Sequence, residues 1–348
     1  MKPMPATPQK ILIIRLSSIG DIVLSTPVVR CLRKAFPKAK IDYVVKREFL
    51  DLVKSNPHLN HVHTFAKSSG HKGLSTIKKK IRETGYDIIV DIHKNFRSRY
   101  LRFGSGAKKI AVYRKRLLVR ALLVLFKLNL YGSPKPVYLR YFEAVEGLGV
   151  RYDGKGTEVV VPRREAIHIE QLLKSEGYSA SRPLLVLCPG ASSFNKRWPS
   201  ERFVAVGRHF LHSKAYHVAL LGGAEERQIC ESIRKGISSD VTNFAGRLKL
   251  VQSAALLGRS SIVLTNDSGM MHLAQSQKRA VVALFGPTTK ELGFFPMEEK
   301  SRVVEVKLRC RPCTSKGLSR CPKKHFQCMR NISSEQVISA LESLCPER

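Results

Sequence analysis

Acidic residues are scarce in this chain. Its 348 residues include 27 Asp and Glu against 61 Lys and Arg, which gives a formal net charge of +34 and a pI near 10.2. Such an excess favours an anionic partner, which can be a nucleic acid, an acidic membrane surface or a phosphorylated substrate. The basic residues are spread along most of the chain without a compact basic arm, so a generally basic proteome would produce the same excess.

Aromatic residues are also sparse, at 7% of the chain, and they are not interleaved with the basic runs. This disfavours a protein that binds single-stranded nucleic acid by stacking bases on aromatic side chains. Charge alone still leaves a nucleic-acid-binding protein open as an alternative.

Long apolar runs are missing as well. The longest, at 117–130, is interrupted by Arg120 and Lys127, so it is too short and too charged to span a bilayer. Residues 1–9 contain three prolines and no apolar core, unlike a signal peptide. We therefore expect a cytosolic protein, which can still bind a membrane surface.

The eight cysteines form two groups. Cys31, Cys188 and Cys230 are scattered among apolar or helical patterns and are expected to be core thiols. Four others cluster near the C-terminus, with His325 among them: Cys310, Cys313, Cys321 and Cys328. This cluster can be read as a zinc site, although its spacing is irregular, or as reduced thiols that pack an irregular loop.

Short apolar, β-branched runs alternate with segments of helical apolar spacing along the whole chain. Strands are expected in the first half at 10–15, 41–45, 62–65, 87–92 and 110–112, with a short one at 158–161. In the second half they are expected at 184–187, 217–221, 241–244, 261–264, 280–285 and 303–306. The pattern predicts an α/β protein built from two doubly wound halves.

Ligands of such sheets bind at the carboxyl ends of the strands, where this chain carries polar residues. The first strand is followed by Ser17, Ser18, Gly20 and Asp21, without the G-x-G-x-x-G fingerprint of dinucleotide-binding proteins. Asp21 could act as a general base or could simply cap the next helix. Basic residues follow the fourth strand and suit phosphate or carboxylate groups, or a solvated helix face: Lys94, Arg97 and Arg99.

In the second half, the segment L-T-N-D-S-G-M-M-H-L-A at 264–274 turns from a strand directly into a helix. The free N–H groups at such a helix start favour a phosphate or pyrophosphate. Asp267 could bind sugar hydroxyls and His272 could reach the same ligand; the alternative is an ordinary capped helix with a core-facing histidine. Other strand ends carry hydroxyl, basic and acidic residues: Ser192, Ser193, Asn195, Lys196, Arg197, Glu225 and Glu226.

Six ordered motifs together resemble the ADP-heptose:lipopolysaccharide heptosyltransferases of glycosyltransferase family 9. They are I-L-I-I-R-L-S-S-I-G-D-I-V-L-S-T-P, Y-D-I-I-V-D-I-H-K-N-x-R-S-R, P-G-A-S-S-x-N-K-R-W-P, L-L-G-G-A-E-E, T-N-D-S-G-M-M-H-L-A and L-F-G-P-T. The resemblance covers nearly the whole chain. It implies a GT-B fold, in which two Rossmann-like, doubly wound domains face each other across a cleft.

We accordingly predict an acceptor-binding domain at 1–165 and a nucleotide-sugar-binding domain at 182–330. The remaining helix, at 331–348, is expected to pack back on the N-terminal domain. The resemblance also implies an inverting transfer of heptose from ADP-heptose to the Kdo/heptose inner core of lipopolysaccharide, without a divalent metal or other cofactor. Transfer of another sugar, or to another glycan, is the alternative within the same fold.

The resemblance assigns roles to individual residues. Asp21 would be the catalytic base, and Lys196 would face the donor phosphates. The donor would contact residues after three strands of the second half: Ser192, Ser193, Lys196, Glu225, Glu226, Asn266, Asp267, Ser268, Gly269 and His272. The acceptor would contact Ser18, Gly20, Lys94, Arg97 and Arg99. The chain departs from the family pattern at 91–93 and at 246–250, where we expect the local acceptor and donor contacts to differ from those of the family.

A Kdo-lipid A acceptor would be anionic and embedded in the membrane. The charge of the chain and its segment at 114–127 would then suit a peripheral protein on the anionic, cytoplasmic face of the inner membrane, with no nucleic-acid partner. The alternative for this segment is a helix that packs on its own sheet.

Overall fold

The computed structural model describes residues 8–213, 215–296 and 298–345. Residues 1–7, which are most of the segment tested above for a signal peptide, and residues 346–348 lie outside this range. The described residues fall into two compact units, one formed by residues 8–116 and 137–160 and the other by residues 117–136 and 161–345.

Strands and helices alternate as the apolar pattern predicts. Up to residue 142 the elements are β1 (Lys10–Ile14), α1 (Ile19–Val23), α2 (Thr26–Ala35), β2 (Lys40–Lys46), β3 (His61–Phe65), α3 (Gly70–Thr84), β4 (Ile88–Asp91), α4 (Phe96–Arg102), β5 (Lys109–Val112), α5 (Leu117–Phe126) and α6 (Val137–Phe142). Short 3-10 helices lie at Arg47–Leu52, Lys67–Ser69 and Glu146–Leu148.

The rest of the chain repeats the alternation. Its elements are α7 (Arg163–Ser175), β6 (Leu184–Cys188), α8 (Ser200–His212), β7 (His217–Leu220), α9 (Arg227–Ile237), β8 (Thr242–Asn243), α10 (Leu250–Arg259), β9 (Ile262–Asn266), α11 (Gly269–Ser276), β10 (Ala280–Phe285), β11 (Ser301–Glu305), α12 (Gln327–Arg330) and α13 (Ser334–Glu342). Further 3-10 helices lie at Phe194–Lys196, Ala224–Glu226 and Lys290–Leu292.

Each unit contains one parallel sheet. The first has the strand order β3-β2-β1-β4-β5 and the second has the order β11-β10-β9-β6-β7-β8. The central strands are buried along almost their whole length, as expected for sheets covered by helices on both faces. The prediction of an α/β protein with two doubly wound sheets is confirmed.

The order of strands reverses between β1 and β4 in the first sheet and between β6 and β9 in the second. At such a reversal the two neighbouring connections leave towards opposite faces, which opens a crevice at the carboxyl ends of the strands. The register brings Ile14 beside Asp91, and Cys188 beside Thr265, at these ends. The loops that follow the four strands are therefore where a ligand site is expected.

The unit boundaries differ from the predicted domains. Helix α7 packs on α10 through Gln252 and Glu165 (Nε2 to Oε2, 3.0 Å), so the second unit begins before residue 182. Helix α5 also groups with the second unit, where the Nζ of the following Lys127 donates to the carbonyl oxygen of Pro312 at 2.6 Å.

The prediction that the final helix packs back on the N-terminal domain is corrected. Helix α13 packs against α8, β10 and β11 of the second unit. Its apolar face, with Val337 and Leu341, is fully buried in the core of that unit. The predicted strand at 158–161 is also absent; these residues have no regular secondary structure.

No helix among the described residues has the length and apolar character needed to cross a membrane.

A buried ion pair anchors α2 to the end of the first unit. The guanidinium of Arg30 donates to both oxygens of Asp153, at 2.8 and 2.9 Å, and Lys34 contacts the same carboxylate. The side chains of Arg30 and Asp153 are only 5% and 12% exposed. The hydrogen bonds from Arg30 hold the pKa of Asp153 well below its usual range.

We expect Asp153→Asn to lower the free energy of unfolding by about 2–3 kcal/mol, because it leaves a buried guanidinium without its bidentate partner. Urea denaturation at pH 7 measures this. Since the folded pKa is depressed, the contribution is present above the unfolded pKa of about 4 and is lost as the pH falls through the folded value. Asp51→Asn, which removes a more exposed pair with Lys54, is the control and should cost about 1 kcal/mol or less. Equal losses in the two variants would contradict the assignment.

Candidate active site

Asp21 lies at the carboxyl end of β1, in the third position of helix α1. Its carboxylate accepts hydrogen bonds from the Ser18 hydroxyl at 3.0 Å, the Ser18 backbone N–H at 3.3 Å and the Tyr141 phenol at 3.2 Å. It also forms an ion pair with Arg15. Asp21 thus does cap its helix, as the alternative interpretation held, yet 21% of its side chain stays exposed.

The environment of Asp21 determines what kind of proton acceptor it can be. Burial of the carboxyl opposes its ionisation, but the charge of Arg15 and the hydrogen bonds from Ser18 outweigh this effect and lower the pKa of Asp21. The carboxylate is therefore ionised at neutral pH and oriented by four contacts. It is a preformed proton acceptor of low basicity.

Arg15 and Tyr141 are site residues that the sequence analysis did not identify. Arg15 donates to the backbone carbonyls of Ser17 (3.0 Å) and Ile92 (2.6 Å), and its guanidinium lies 5.4 Å from the centre of the Tyr141 ring. It therefore links the ends of β1 and β4 while it pairs with Asp21. The sequence offered one signal for Arg15, because it is a charged residue at the end of a buried strand. Nothing in the sequence around α6 indicated that Tyr141 belongs to the site.

The loop after β4 is organised by Asp91, which is fully buried. Its carboxylate accepts from the backbone N–H groups of His93 (3.0 Å) and Lys94 (2.8 Å) and from the Ser98 hydroxyl (2.9 Å). It also pairs with Arg102 at 3.1 Å. This carboxylate holds the loop in shape and so directs His93 towards the interior.

The imidazole of His93 is neutral in the folded protein. Burial, followed by the charges of Arg15 and Lys115, lowers the pKa of His93 to about 3. The Asn95 side-chain oxygen accepts from Ser98 N, so its NH₂ group faces His93 Nε2 at 2.7 Å. The ring proton therefore lies on Nδ1, which is buried and has no hydrogen-bond partner in the part of the chain that the structure describes.

The predicted acceptor residues are not all gathered in one place. Ser18 and Gly20 belong to the helix that carries Asp21. Lys94, Arg97 and Arg99 are exposed. Arg99 lines a cavity of about 350 Å³ together with Arg102, Phe103, Gly104 and Ile110. The residues that bind the Asp21 carboxylate, Arg15, Ser18 and Tyr141, are not part of this lining.

In the second unit, Lys196 and Asp267 meet at the strand reversal. Lys196 Nζ lies 2.6 Å from Asp267 Oδ2, which also accepts from the Thr288 hydroxyl at 2.7 Å. The two charged side chains are only 11% and 6% exposed. Asp267 thus positions the lysine at the ends of β6, β9 and β10.

The start of helix α11 follows Asp267 directly. The Ser268 side chain caps it by accepting from the Met270 backbone N–H at 3.3 Å, and Gly269 forms its first residue. The helix dipole makes this end favourable for an anion. His272, one turn further, is 4% exposed, as the alternative of a core-facing histidine expected.

Asn266 has a different role from the predicted one. Its amide is fully buried, donates to the Pro189 carbonyl at 2.8 Å and accepts from the Trp198 backbone N–H at 3.1 Å. Both ends of the side chain are therefore used to join β9 to the loop that carries Lys196. We correct its assignment from a donor contact to a residue that supports that loop.

The glutamates after β7 differ from each other. Glu226 accepts from the Gly223 backbone N–H at 2.6 Å and packs against Gly190, where an added Cβ would lie 2.6–2.7 Å from the glutamate side chain. A side chain at position 190 would therefore have to displace the Glu226 side chain. Glu225 is exposed, as is Ser192 in the preceding loop.

The cysteine-rich segment closes over the Lys196 loop. Asn195 and Leu318 exchange hydrogen bonds of 2.8 and 3.2 Å, and an added Cβ at Gly317 would lie 2.5 Å from the Ser193 side chain and 3.3 Å from Lys196 Cε. Gly317 has φ +101°, a conformation that favours glycine. The sequence analysis did not connect this segment with the lysine.

The zinc interpretation of the four cysteines has no support from their geometry. Over residues 8–213, 215–296 and 298–345, no group of three or more His, Cys, Asp and Glu side chains could hold a metal ion. The thiols are free, and Cys310 contacts His325 (Sγ to Nε2, 3.8 Å).

Together, the two units offer complementary chemistry. The first holds an oriented, ionised carboxylate beside a neutral imidazole. The second holds a lysine and a helix N-terminus, which can bind and stabilise a diphosphate. A carboxylate that accepts a proton and a cation that stabilises a departing phosphate are what a group transfer from an activated phosphate donor requires.

Comparison with known proteins agrees with this chemistry. Residues 74–324, well over half of the chain, match the family model described as glycosyltransferase family 9 (heptosyltransferase). The chain is 27% identical to lipopolysaccharide heptosyltransferase 2 of Salmonella typhimurium, over 97% of this chain and 99% of that one.

Solved structures share the fold. A family 9 glycosyl transferase from Veillonella parvula has a TM-score of 0.81 at 24% identity and covers 97% of both chains. The ADP-heptose lps heptosyltransferase II of E. coli has a TM-score of 0.76 at 23% identity, over 96% of this chain and 98% of that chain. The two doubly wound sheets are therefore those of the GT-B architecture, and the chain is a glycosyltransferase that belongs to family 9, the heptosyltransferase family.

Proposed function

We propose that this glycosyltransferase moves a heptose from ADP-heptose to the Kdo/heptose inner core of lipopolysaccharide, with inversion at the anomeric carbon. The observation that carries the proposal is the match, over nearly its whole length, to a relative named lipopolysaccharide heptosyltransferase 2. The acceptor would be of the Kdo-lipid A type. Transfer of another sugar, or transfer to another glycan, is the alternative within the same fold.

In this proposal Asp21 accepts the proton of the attacking hydroxyl. Inverting transfer is a single displacement, so one base on the acceptor side is sufficient. Arg15, Ser18 and Tyr141 orient the carboxylate. Its low basicity suits a proton transfer that occurs late, when the attacking oxygen has already begun to bond to the sugar and has become more acidic.

The acceptor substrate would bind in the same unit. Ser18 and Gly20 would line the acceptor, and Lys94, Arg97 and Arg99 would meet its anionic groups.

The diphosphate of the donor would bind in the second unit. Lys196 would face its phosphates, held by Asp267, and the backbone N–H groups at Ser268 and Gly269 would complete the anion site. Ser192 and Ser193 would add hydroxyl contacts, and Glu225 or Glu226 would hold the ribose of the adenosine. His272 would support the helix from within.

Because Lys196 and a helix dipole supply positive charge at the departing diphosphate, we propose that the reaction needs no divalent metal. An acceptor carried by a lipid requires the enzyme to work at a membrane surface. We therefore propose a peripheral protein on the cytoplasmic face of the inner membrane, whose excess of basic residues serves anionic lipid rather than nucleic acid.

Lys196→Ala should reduce kcat/KM by about 10²–10³-fold, because the departing diphosphate loses its cation. It should also abolish the rise in melting temperature that ADP produces in the unsubstituted protein. Adding Asp267→Asn removes the unpaired buried carboxylate and should restore stability without restoring transfer. Lys235→Ala, an exposed lysine on α9, is the matched control, and a chelator should leave the rate unchanged. ADP protection that survives in Lys196→Ala would contradict the donor site.

The lowered pKa of Asp21 predicts a pH profile. A carboxylate whose folded pKa lies below its usual value of about 4 stays ionised throughout the mildly acid range, so kcat/KM should have no acidic limb between pH 5 and 8. His93, with its pKa lowered to about 3, stays neutral over the same range. The acceptor for this measurement must not itself ionise there.

Asp21→Asn is the companion variant. It keeps the oxygen that accepts from Ser18 but cannot take a proton, so transfer should fall by about 10²–10⁴-fold at every pH while ADP still binds. An acidic limb with its midpoint between pH 5 and 7 in the unsubstituted enzyme, or near-normal turnover in Asp21→Asn, would exclude Asp21 as the base.

A further inference from the structure

Helix α5 is an apolar helix that the protein leaves largely uncovered. Arg120 is the only charged residue among its ten, and Leu123 is its one buried residue. Leu118, Leu125 and Phe126 are 81%, 70% and 72% exposed. A helix that is apolar on most sides is normally buried, because each exposed side chain forfeits the free energy of leaving water. This surface should therefore contact another apolar phase.

The exposed side chains share one side of the helix. Leu118 and Leu125 are seven residues apart, which is two helical turns, so they project in nearly the same direction. Leu123 lies on the opposite side and faces the protein. The exposed apolar set continues beyond the helix end, and we call it the α5 surface; it comprises Leu117, Leu118, Leu125, Phe126, Leu128 and Leu130.

The charged residues in the sequence flanking α5 are basic only, and one of them, Arg116, pairs with Glu143 at 3.1 Å. No Asp or Glu occurs between Asp91 and Glu143, whereas basic residues lie within and beside the helix: Arg114, Lys115, Arg116, Arg120, Lys127 and Lys135. Arg114 is exposed. An apolar surface rimmed by basic residues is typical of a segment that lies in the interface of an anionic bilayer. A second copy of this chain would bring the same positive charge and would be repelled.

We propose that the α5 surface docks the enzyme on an anionic lipid bilayer. Its leucines and Phe126 enter the boundary between headgroups and acyl chains, while the basic rim contacts lipid phosphates. The proposal deepens the proposed function, which requires a lipid-borne acceptor, but vesicle binding itself needs neither donor nor acceptor. The two can therefore fail separately.

The test is flotation of the full-length protein with vesicles of phosphatidylcholine, alone or mixed with phosphatidylglycerol, without donor. The unsubstituted protein should float with the anionic vesicles, and raised salt should weaken this binding. Leu118→Asp with Leu125→Asp should reduce binding about tenfold or more, because charge replaces inserted apolar side chains. Arg114→Gln with Arg120→Gln should reduce binding to anionic vesicles by roughly fivefold per charge.

Ile167→Asp is the matched control, since Ile167 is an exposed apolar residue on helix α7 of the same unit. It should float like the unsubstituted protein. Melting temperature and ADP binding verify that the α5 variants are folded, and their turnover of a water-soluble acceptor should be unchanged. If Leu118→Asp with Leu125→Asp floats normally, the proposal is wrong.

Sedimentation velocity tests whether a second copy of this chain, rather than a bilayer, covers the α5 surface. A dimer of the unsubstituted protein that the Leu118→Asp and Leu125→Asp substitutions dissociate would assign the surface to a second copy and would overturn the proposal. A protein that floats normally but transfers no heptose to any acceptor would instead contradict the proposed function and support the docking surface alone.

Discussion

In each of the two sheets the order of strands reverses between two central, buried parallel strands, and the candidate site residues depend on this reversal. It opens a crevice at the carboxyl ends of β1 and β4, and another at the ends of β6 and β9. Asp21 and His93 follow the first pair of strands, and Lys196 and Asp267 follow the second. These residues lie in the loops and helix starts that directly follow the strands, so the positions of the buried strands fix where the site residues lie.

A close pair of opposite charges orients the candidate catalytic side chain of each unit, and the two pairs have opposite consequences. Arg15 keeps Asp21 ionised and oriented, at the cost of basicity. Asp267 holds Lys196 at a helix N-terminus, where an incoming diphosphate can share the lysine and gain the helix dipole. In both pairs a side chain that does no chemistry of its own positions one that can, which is how a site is made rigid before the substrate arrives.

Much of this could be predicted from the sequence. The alternation of apolar runs indicated both sheets, because parallel strands covered on both faces must be continuously apolar. Asp21, Lys196 and the start of α11 were identified because they follow strands.

Arg15 and Tyr141 were missed because their contacts with Asp21 are tertiary: Tyr141 is 120 residues from Asp21. Asn266 was misassigned because a buried amide that joins two loops has the same local pattern as one that binds a ligand. The final helix was misplaced because amphipathic spacing shows that a helix is covered, but not by what.

The central claim is that these residues perform an inverting heptose transfer, and its most direct measurement is the anomeric configuration of the product. The enzyme would be incubated with ADP-heptose and a Kdo-lipid acceptor, and the one-bond C–H coupling at the new anomeric carbon would be read by NMR. A single displacement assisted by Asp21 predicts a heptosyl product with the configuration opposite to that of the donor. A product that retains the donor configuration, or no heptosyl product at all, would contradict it.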